Sequence, residues 1–216
     1  MKKKEDGRTE MRLLVGALVV CLTAGCVTQG YQRAGKTVQS LQATRVELTA
    51  AAQQVSRTIG TLNRMAGMRG GDLTPVYTQL TKDVAGIEKQ AETARWRANA
   101  YRDNANTYLD SWAQEVSAIQ DETIRLKSGQ RRGEMIAKFQ GIERSAAATR
   151  QAYAPLLTEL QGIVQYLGQD LTARGVASMR PQFGKARTKA TMLRTRIGEL
   201  IGELDRVSAA MAPQTP

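Results

Sequence analysis

The feature that most constrains this chain is a hydrophobic repeat in alternating steps of three and four, which recurs in four separate tracts. The first runs Val38, Leu41, Arg45, Leu48, Ala52, Val55, Ile59, Leu62 and Ala66, apolar at every position but Arg45. The second runs Tyr77, Leu80, Val84, Ile87, Ala91, Ala94, Ala98, Tyr101, Ala105, Tyr108 and Trp112, then resumes at Val116, Ile119 and Leu126 after an extra residue. The third is Met135, Phe139, Ile142, Ala146, Thr149, Tyr153, Leu156, Leu160, Ile163 and Leu167, and the fourth is Val176, Met179, Phe183, Ala186, Ala190, Leu193, Ile197, Leu200, Leu204, Val207 and Met211. A stripe with this period winds along one side of an α-helix and is buried only by facing a similar stripe. The expected fold is therefore all-α: an elongated antiparallel up-down bundle with coiled-coil packing, built from three to four long helices.

The breaks between tracts set the expected boundaries. Gly70-Gly71-Asp72-Leu73-Thr74-Pro75 pairs two glycines with a proline suited to a first helical turn, where Asp72 or Thr74 can cap. Ser128-Gly129 marks a second turn and Asp170-Leu171-Thr172 a third, which gives helices at about 36–67, 75–127, 132–170 and 173–211 within a bundle spanning 36–211. The extra residue after Trp112 predicts a stutter that locally unwinds the supercoil, and Pro155 and Pro181 predict bends. The alanines in the middle of the second tract predict close helix approach there, with wider spacing at the aromatic end from Tyr101 to Trp112.

Aromatic residues make up 5% of the 216 residues, so the core must be thin and built from Ala, Leu, Ile, Val and Met. The chain contains no His. That removes the commonest general base and zinc ligand, and with it His-dependent triads and the Glu-x-x-His sites of helical bundles. Asp and Glu fall mostly on outward helical positions and pair with Arg or Lys at helical spacing, as Glu203 does with Arg206. The chain is expected to be no enzyme and to need no cofactor and no metal.

The two cysteines, Cys21 and Cys26, both lie in the first 26 residues, so no disulfide can staple the body. Leu13 to Leu22 is an apolar run of ten, preceded by Arg12 and followed by Thr23, Ala24, Gly25 and Cys26. It is too short to span a bilayer, which takes about 20 residues. A basic flank, a short apolar stretch and small residues describe an export signal. Ala24-Gly25-Cys26 resembles the bacterial lipobox, with Thr23 where Leu is usual, and that resemblance implies acylation of Cys26. Residues 1–25 are thus expected to be a lipoprotein-type signal, 26–35 a lipidated tether and 212–216 a disordered tail. Glu5, Asp6 and Glu10 are unusual in a signal's first region, and Met11-Arg12 offers a second start. Val27 after Cys26, by resemblance to enterobacterial sorting, implies outer-membrane delivery facing the periplasm.

Gly70-Gly71-Asp72-Leu73 with Tyr77 and Leu80, Tyr31, Gly35-Lys36, Arg45-Val46, and Ser111-Trp112 followed by Glu115 resemble a bacterial family of small helical coiled-coil lipoproteins, the domain of unknown function of the 2959 type. The resemblance covers roughly residues 26–211. It implies the same architecture and no established activity. Members of that family tend to be acidic, whereas this chain carries a formal net charge of +11.

That charge predicts anionic neighbours. Arg174, Arg180, Lys185, Arg187, Lys189, Arg194 and Arg196 occur in a stretch without an acidic residue and form a candidate contact surface for an acidic wall polymer or an envelope protein; no nucleic acid is expected. Arg125, Lys127, Arg131 and Arg132 surround the second turn, toward the Cys26 end, and form a candidate membrane-proximal contact. Gly30-Tyr31-Gln32-Arg33-Ala34-Gly35-Lys36-Thr37 matches the phosphate-loop pattern, but no strand precedes it, so it is assigned to the tether. Trp96 lies off the seam and is expected to pack internally in a bundle of three or four helices. Arg45 is expected to act as a register device or to snorkel. The expected role is a lipid-anchored envelope scaffold or spacer, with homo-oligomers open; the alternative is a membrane-active protein resembling α-helical pore formers.

Overall fold

The computed structural model describes residues 24–212, with side chains from Gly30 onward. It contains four long helices and one short one: α1 (Ala24–Gly67), α2 (Thr74–Ser117), α3 (Glu122–Gln169), α4 (Ala173–Ser178) and α5 (Arg180–Met211). At 1.5 Å per residue the first three are each about 65 to 70 Å long. The expected signal segment and the choice between Met1 and Met11 lie outside the described residues, as do the last four residues of the tail.

Each turn is shaped by local chemistry. Between α1 and α2, Gly71 adopts a φ of 83°, which glycine reaches without a Cβ clash, and Asp72 accepts from the Thr74 backbone N–H at 2.9 Å. Pro75 then sits in the first turn of α2, where its missing N–H is not needed. Thr172 caps α4 by accepting from the Gly175 N–H at 3.0 Å, and donates to Asp170 at 2.7 Å. Pro181 does more than bend the fourth tract. The helix breaks at Met179, and Pro181 occupies the first turn of α5. By contrast Pro155 lies inside the continuous α3.

The long helices close a ring in which α1 packs on α2, α2 on α3, α3 on α5 and α5 on α1. Every neighbouring pair is antiparallel. Thr37 meets Asn104 and Thr58 meets Asp83 across α1 and α2; Arg132 meets Leu109 and Gln161 meets Glu88 across α2 and α3. Lys189 meets Glu159 across α3 and α5, while Arg45 meets Asp205 and Arg187 meets Asn63 across α1 and α5. In each case the number on one helix rises as its partner falls. The third and fourth tracts supply the core as the repeat predicts, with Leu156, Leu160, Ile163, Leu167, Phe183, Ala186, Leu204 and Val207 all nearly inaccessible.

Three boundaries differ from those read off the sequence. Residues 26–35, expected as a tether, belong to α1, so the phosphate-loop pattern lies on a helix whose N–H groups serve the helix itself. The second turn lies at residues 118–121 rather than at Ser128-Gly129, because Asp121 caps α3 through the Ile124 N–H at 2.9 Å. The expected stutter is thus a helix end, and Leu126 is 59% exposed rather than in the seam.

The seam of α1 also runs differently. Its seam holds Thr37, Leu41, Thr44, Leu48, Val55, Thr58, Leu62 and Met65, with Gln54 and Thr61 also buried, so threonines at multiples of seven replace Val38, Arg45 and Ile59 in the second row. A helical threonine can give its hydroxyl proton to the carbonyl four residues back, which lets it be buried like valine. Thr37, Thr44 and Thr58 do so at 2.8 to 3.0 Å. The same oxygens lie 3.3 to 3.4 Å from carbonyls of Asn104, Arg97 and Asp83 on α2. Small hydroxyls therefore bring α1 and α2 together.

The alanines of α2 do not close the bundle. Tyr101 packs edge-on against Phe139 at 6.0 Å between centroids, and Tyr77 spans to the Val164 carbonyl at 3.3 Å, over Gly168. Tyr101, one turn beyond Ala98, holds α2 and α3 apart at one end of the alanine row, and Tyr77 stands about 21 Å before Ala91. The space left between the two helices is a cavity.

The helix α5 is shorter than the others, at 32 residues against 44 to 48. Since Asp205 pairs with Arg45 and Glu203 lies against Gly141, α5 ends about level with Leu41 of α1 and Met135 of α3. Beyond that level, toward Cys26, the described bundle consists of α1, α2 and α3 alone.

Candidate functional site

Cys26 lies in the first turn of α1, at the end of the rod shared with the turn at 118–121 and beyond the end of α5. Its side chain lies outside the described residues. The opposite end holds the turn at 68–73, the helix α4 and the start of α5.

Six of the seven basic residues from Arg174 to Arg196 are exposed, and Lys189 is half-buried. They do not form one face. At 100° per residue, Arg180, Arg187 and Arg194 fall on the flank of α5 toward α1, where Arg187 donates to Asn63 at 3.3 Å. Lys185, Lys189 and Arg196 fall on the flank toward α3, where Lys189 binds Glu159 at 2.5 Å, and Arg196 binds Glu199 at 2.8 Å. Threonines and the 54% exposed Met192 occupy the ridge between the two stripes. The stripe that adjoins α1 extends a cation-rich side of the bundle. Together α1, α4 and α5 carry 13 basic and 4 acidic residues and α3 carries 7 basic and 4 acidic, whereas α2 carries 5 basic and 6 acidic.

The four cations near the second turn are also dispersed. Arg132 is half-buried and donates to the Leu109 carbonyl at 2.9 Å, tying α3 to α2. Arg125, Lys127 and Arg131 are exposed; Lys127 and Arg131, four apart, share one face of α3, and Arg125 lies on another face beside Arg132. Nearby, Trp112 donates to Ser128 at 3.0 Å, and Ile124 and Tyr31 are largely exposed.

Trp96 is not packed internally. It is 62% exposed on the outer face of α2, with the Arg97 guanidinium 4.8 Å from its ring centroid. Arg45 pairs with Asp205 of α5 at 2.9 Å, with both side chains about half exposed, and Glu203 pairs with Arg206 as the spacing predicts.

Reading acids as outward missed a buried polar cluster between α1 and α2. Asp83 is 7% exposed; its carboxylate accepts from Thr61 at 2.6 Å and Gln79 at 2.8 Å, and its carbonyl accepts from Gln54 at 2.9 Å. Gln54 in turn accepts from Arg57 at 2.6 Å, and Gly86 leaves room for the Gln54 amide. The sequence signal was available: Asp83 directly precedes the seam residue Val84, on the side where the α1 threonines repeat. The cluster satisfies its members and leaves no open coordination position. No group of three acidic, His or Cys side chains among the described residues could hold a metal.

The cavity between α2 and α3 has a volume of about 570 Å³. All four long helices line it. Leu48, Val55, Ile87, Leu193, Ile197 and Leu200 form its interior, and Glu88, Glu92, Arg95, Arg102 and Arg150 form its rim. Tyr153 reaches into it, and burial, with Glu88 nearby, raises its phenol above the ordinary range. Burial similarly raises Tyr108 and, most strongly, Tyr101.

No helix of the described residues is long and apolar enough to cross a membrane. The profile of a family described as a protein of unknown function (DUF2959) matches residues 25–211. Neither curated proteins nor solved structures gave a match.

Proposed function

The chain belongs to the DUF2959 family, and on that premise we propose that it is a lipid-anchored, non-enzymatic spacer of the bacterial envelope that presents a basic flank to an anionic wall polymer or an envelope protein. The observation that carries this reading is the excess of cations along the rod, largest on α1, α4 and α5 with 13 basic and 4 acidic residues. Fields of one sign on an elongated surface concentrate partners of the other sign. Acylation at Cys26 would hold one end at the membrane, facing the periplasm and, from Val27, at the outer membrane. Arg125, Lys127 and Arg131 would then lie near the headgroups, while Arg174 and Arg180 would stand about 60 Å away.

Binding to isolated cell-wall sacculi tests this, with the native protein compared to Arg180→Ser/Arg187→Ser/Arg194→Ser. The expected result is salt-sensitive binding that falls at least fivefold in the variant; equal binding would refute the role of the flank. Labelling with radioactive palmitate, lost in Cys26→Ala, tests the anchor. Dye release from vesicles tests the membrane-active alternative, for which no helix among the described residues is long and apolar enough to cross a bilayer.

A further inference from the structure

The cavity between α2 and α3 is short and wide. Its walls on α1, α3 and α5 run over residues 48–55, 146–153 and 193–200, each about 10 Å at the helical rise. A volume of about 570 Å³ over that length gives a mean cross-section of roughly 55 Å². Such a space takes a ring system more readily than an extended chain, and its volume lies within the range of small-molecule sites. The exposed residues of the lining all belong to α2 and α3, so the mouth opens between those two helices. Opposite it, Leu48, Val55, Leu193, Ile197 and Leu200 of α1 and α5 form a buried apolar floor. Alanines of α2 and α3 form the sides. A ligand entering here points inward across the bundle.

The charges on the lips break a repeat. Arg102 of α2 binds Glu143 of α3 at 3.0 Å across the mouth. Seven residues make about two helical turns, so the next positions on the same two faces are Arg95, seven before Arg102, and Arg150, seven after Glu143. In antiparallel helices these two stand level with each other, here at the middle of the cavity's length. An arginine thus occupies the place on α3 where the pattern calls for an acid. Both guanidinium groups are exposed, and neither forms an ion pair among the described residues. Glu88, seven before Arg95, is engaged by Gln161 at 2.7 Å. Glu92 balances one of the two cations, which leaves the mouth one positive charge in surplus. Two forked donors with one charge to spare suit a single carboxylate.

We propose that this cavity binds a compact aromatic monocarboxylate of about two fused rings, its ring body between the alanine walls and its carboxylate between Arg95 and Arg150. The proposal does not depend on the spacer reading.

Isothermal titration calorimetry of the full chain in nanodiscs, with empty nanodiscs as the blank, gives the test. The probes are 2-naphthoate, its neutral counterpart 2-naphthylmethanol, and undecanoate, which carries as many carbons as the naphthoate in a flexible chain. One site per chain is expected, with 2-naphthoate at least tenfold tighter than the alcohol. Undecanoate should bind at least threefold more weakly than 2-naphthoate, because it must give up chain freedom to fit. Arg95→Gln/Arg150→Gln should abolish the preference for acid over alcohol while the alcohol still binds. Ala94→Leu/Ala98→Leu fills the cavity from α2 and should remove binding in a chain that stays helical by circular dichroism; Ala146→Leu fills it from α3. Equal affinity for acid and alcohol, undecanoate binding as tightly as 2-naphthoate, binding unchanged in both filled variants, or no binding of 2-naphthoate at millimolar concentration would each overturn the proposal.

Discussion

The Thr61 hydroxyl of α1 donates to the Asp83 carboxylate of α2 over 2.6 Å, with both side chains almost fully out of solvent. A charged acceptor at this depth is tolerable only when its oxygens are satisfied, and Gln79 supplies the second donor at 2.8 Å. The pair fixes the height of α2 against α1, in a seam whose other contacts are small and repetitive.

Thr61→Val keeps the shape and removes the donor, and should cost about 1.5 to 3 kcal/mol, the range for a hydrogen bond to a charged group. Asp83→Ala should cost a similar amount by stranding Thr61 and Gln79. Because both changes break one bond, the double variant should be less destabilised than the sum, by at least about 0.5 kcal/mol in urea melts. Strict additivity would show that the bond contributes nothing.

Glycine positions should respond with opposite signs. Gly184 lies inside α5 with open space around a built Cβ, so Gly184→Ala should add roughly 0.5 to 1 kcal/mol through reduced backbone entropy. At Gly175 a Cβ would stand 2.3 Å from the Asp170 carbonyl, a backbone atom that cannot swing away. Gly175→Ala should cost about 1 to 3 kcal/mol and loosen the Thr172 cap, measurable as a lowered melting temperature.

Leu204 and Leu126 both sit on the apolar repeat, yet they should behave differently. Leu204 is 1% exposed and Leu204→Ala should cost about 2 to 5 kcal/mol. Leu126 is 59% exposed, and Leu126→Ala should stay within about 0.5 kcal/mol of the native protein in the same denaturant titration. Comparable losses would restore the longer second helix expected from the repeat.

The Tyr101 phenol is raised chiefly by burial, with Glu143 adding to the shift. Its folded pKa exceeds the unfolded value of about 10, so the neutral phenol's stabilising contribution is complete below that pH and is lost as pH rises through and above it. Tyr101→Phe lacks this titration. The stability difference between native and variant should be flat below about pH 9 and shift toward the variant above pH 10, by up to 1.4 kcal/mol per pH unit. A constant difference through pH 11 would place the phenol in water.

The architecture was legible because a repeat of three and four has only one good use, and the third and fourth tracts found most of their core, with Ala146, Thr149, Tyr153 and Met211 only half-buried. The errors have physical origins. In α1 apolar Val38 and Ile59 were chosen over Thr37 and Thr58, since the repeat scores side chains by polarity and a threonine that bonds its own helix is only formally polar. At residues 118–121 Asp121 was available as a cap but a continuing run of apolar residues concealed it. The cavity was beyond a reading along one helix at a time: whether alanines draw helices together depends on Phe139, contributed from another helix. The seven cations from Arg174 were visible as a group, but their division into two stripes follows only from phase around α5.

The early end of α5 gives the rod an axis of compliance. Over the last 20 Å or so toward Cys26, α1, α2 and α3 bend and twist without a fourth member to brace them, and resistance to flexing falls with the number of packed helices. In the proposed lipid-anchored arrangement a load at the remote tip would be absorbed in the stretch next to Cys26, as in a fishing rod held by its thin end, while the braced length carrying the cavity and the basic stripes would move as one stiff piece.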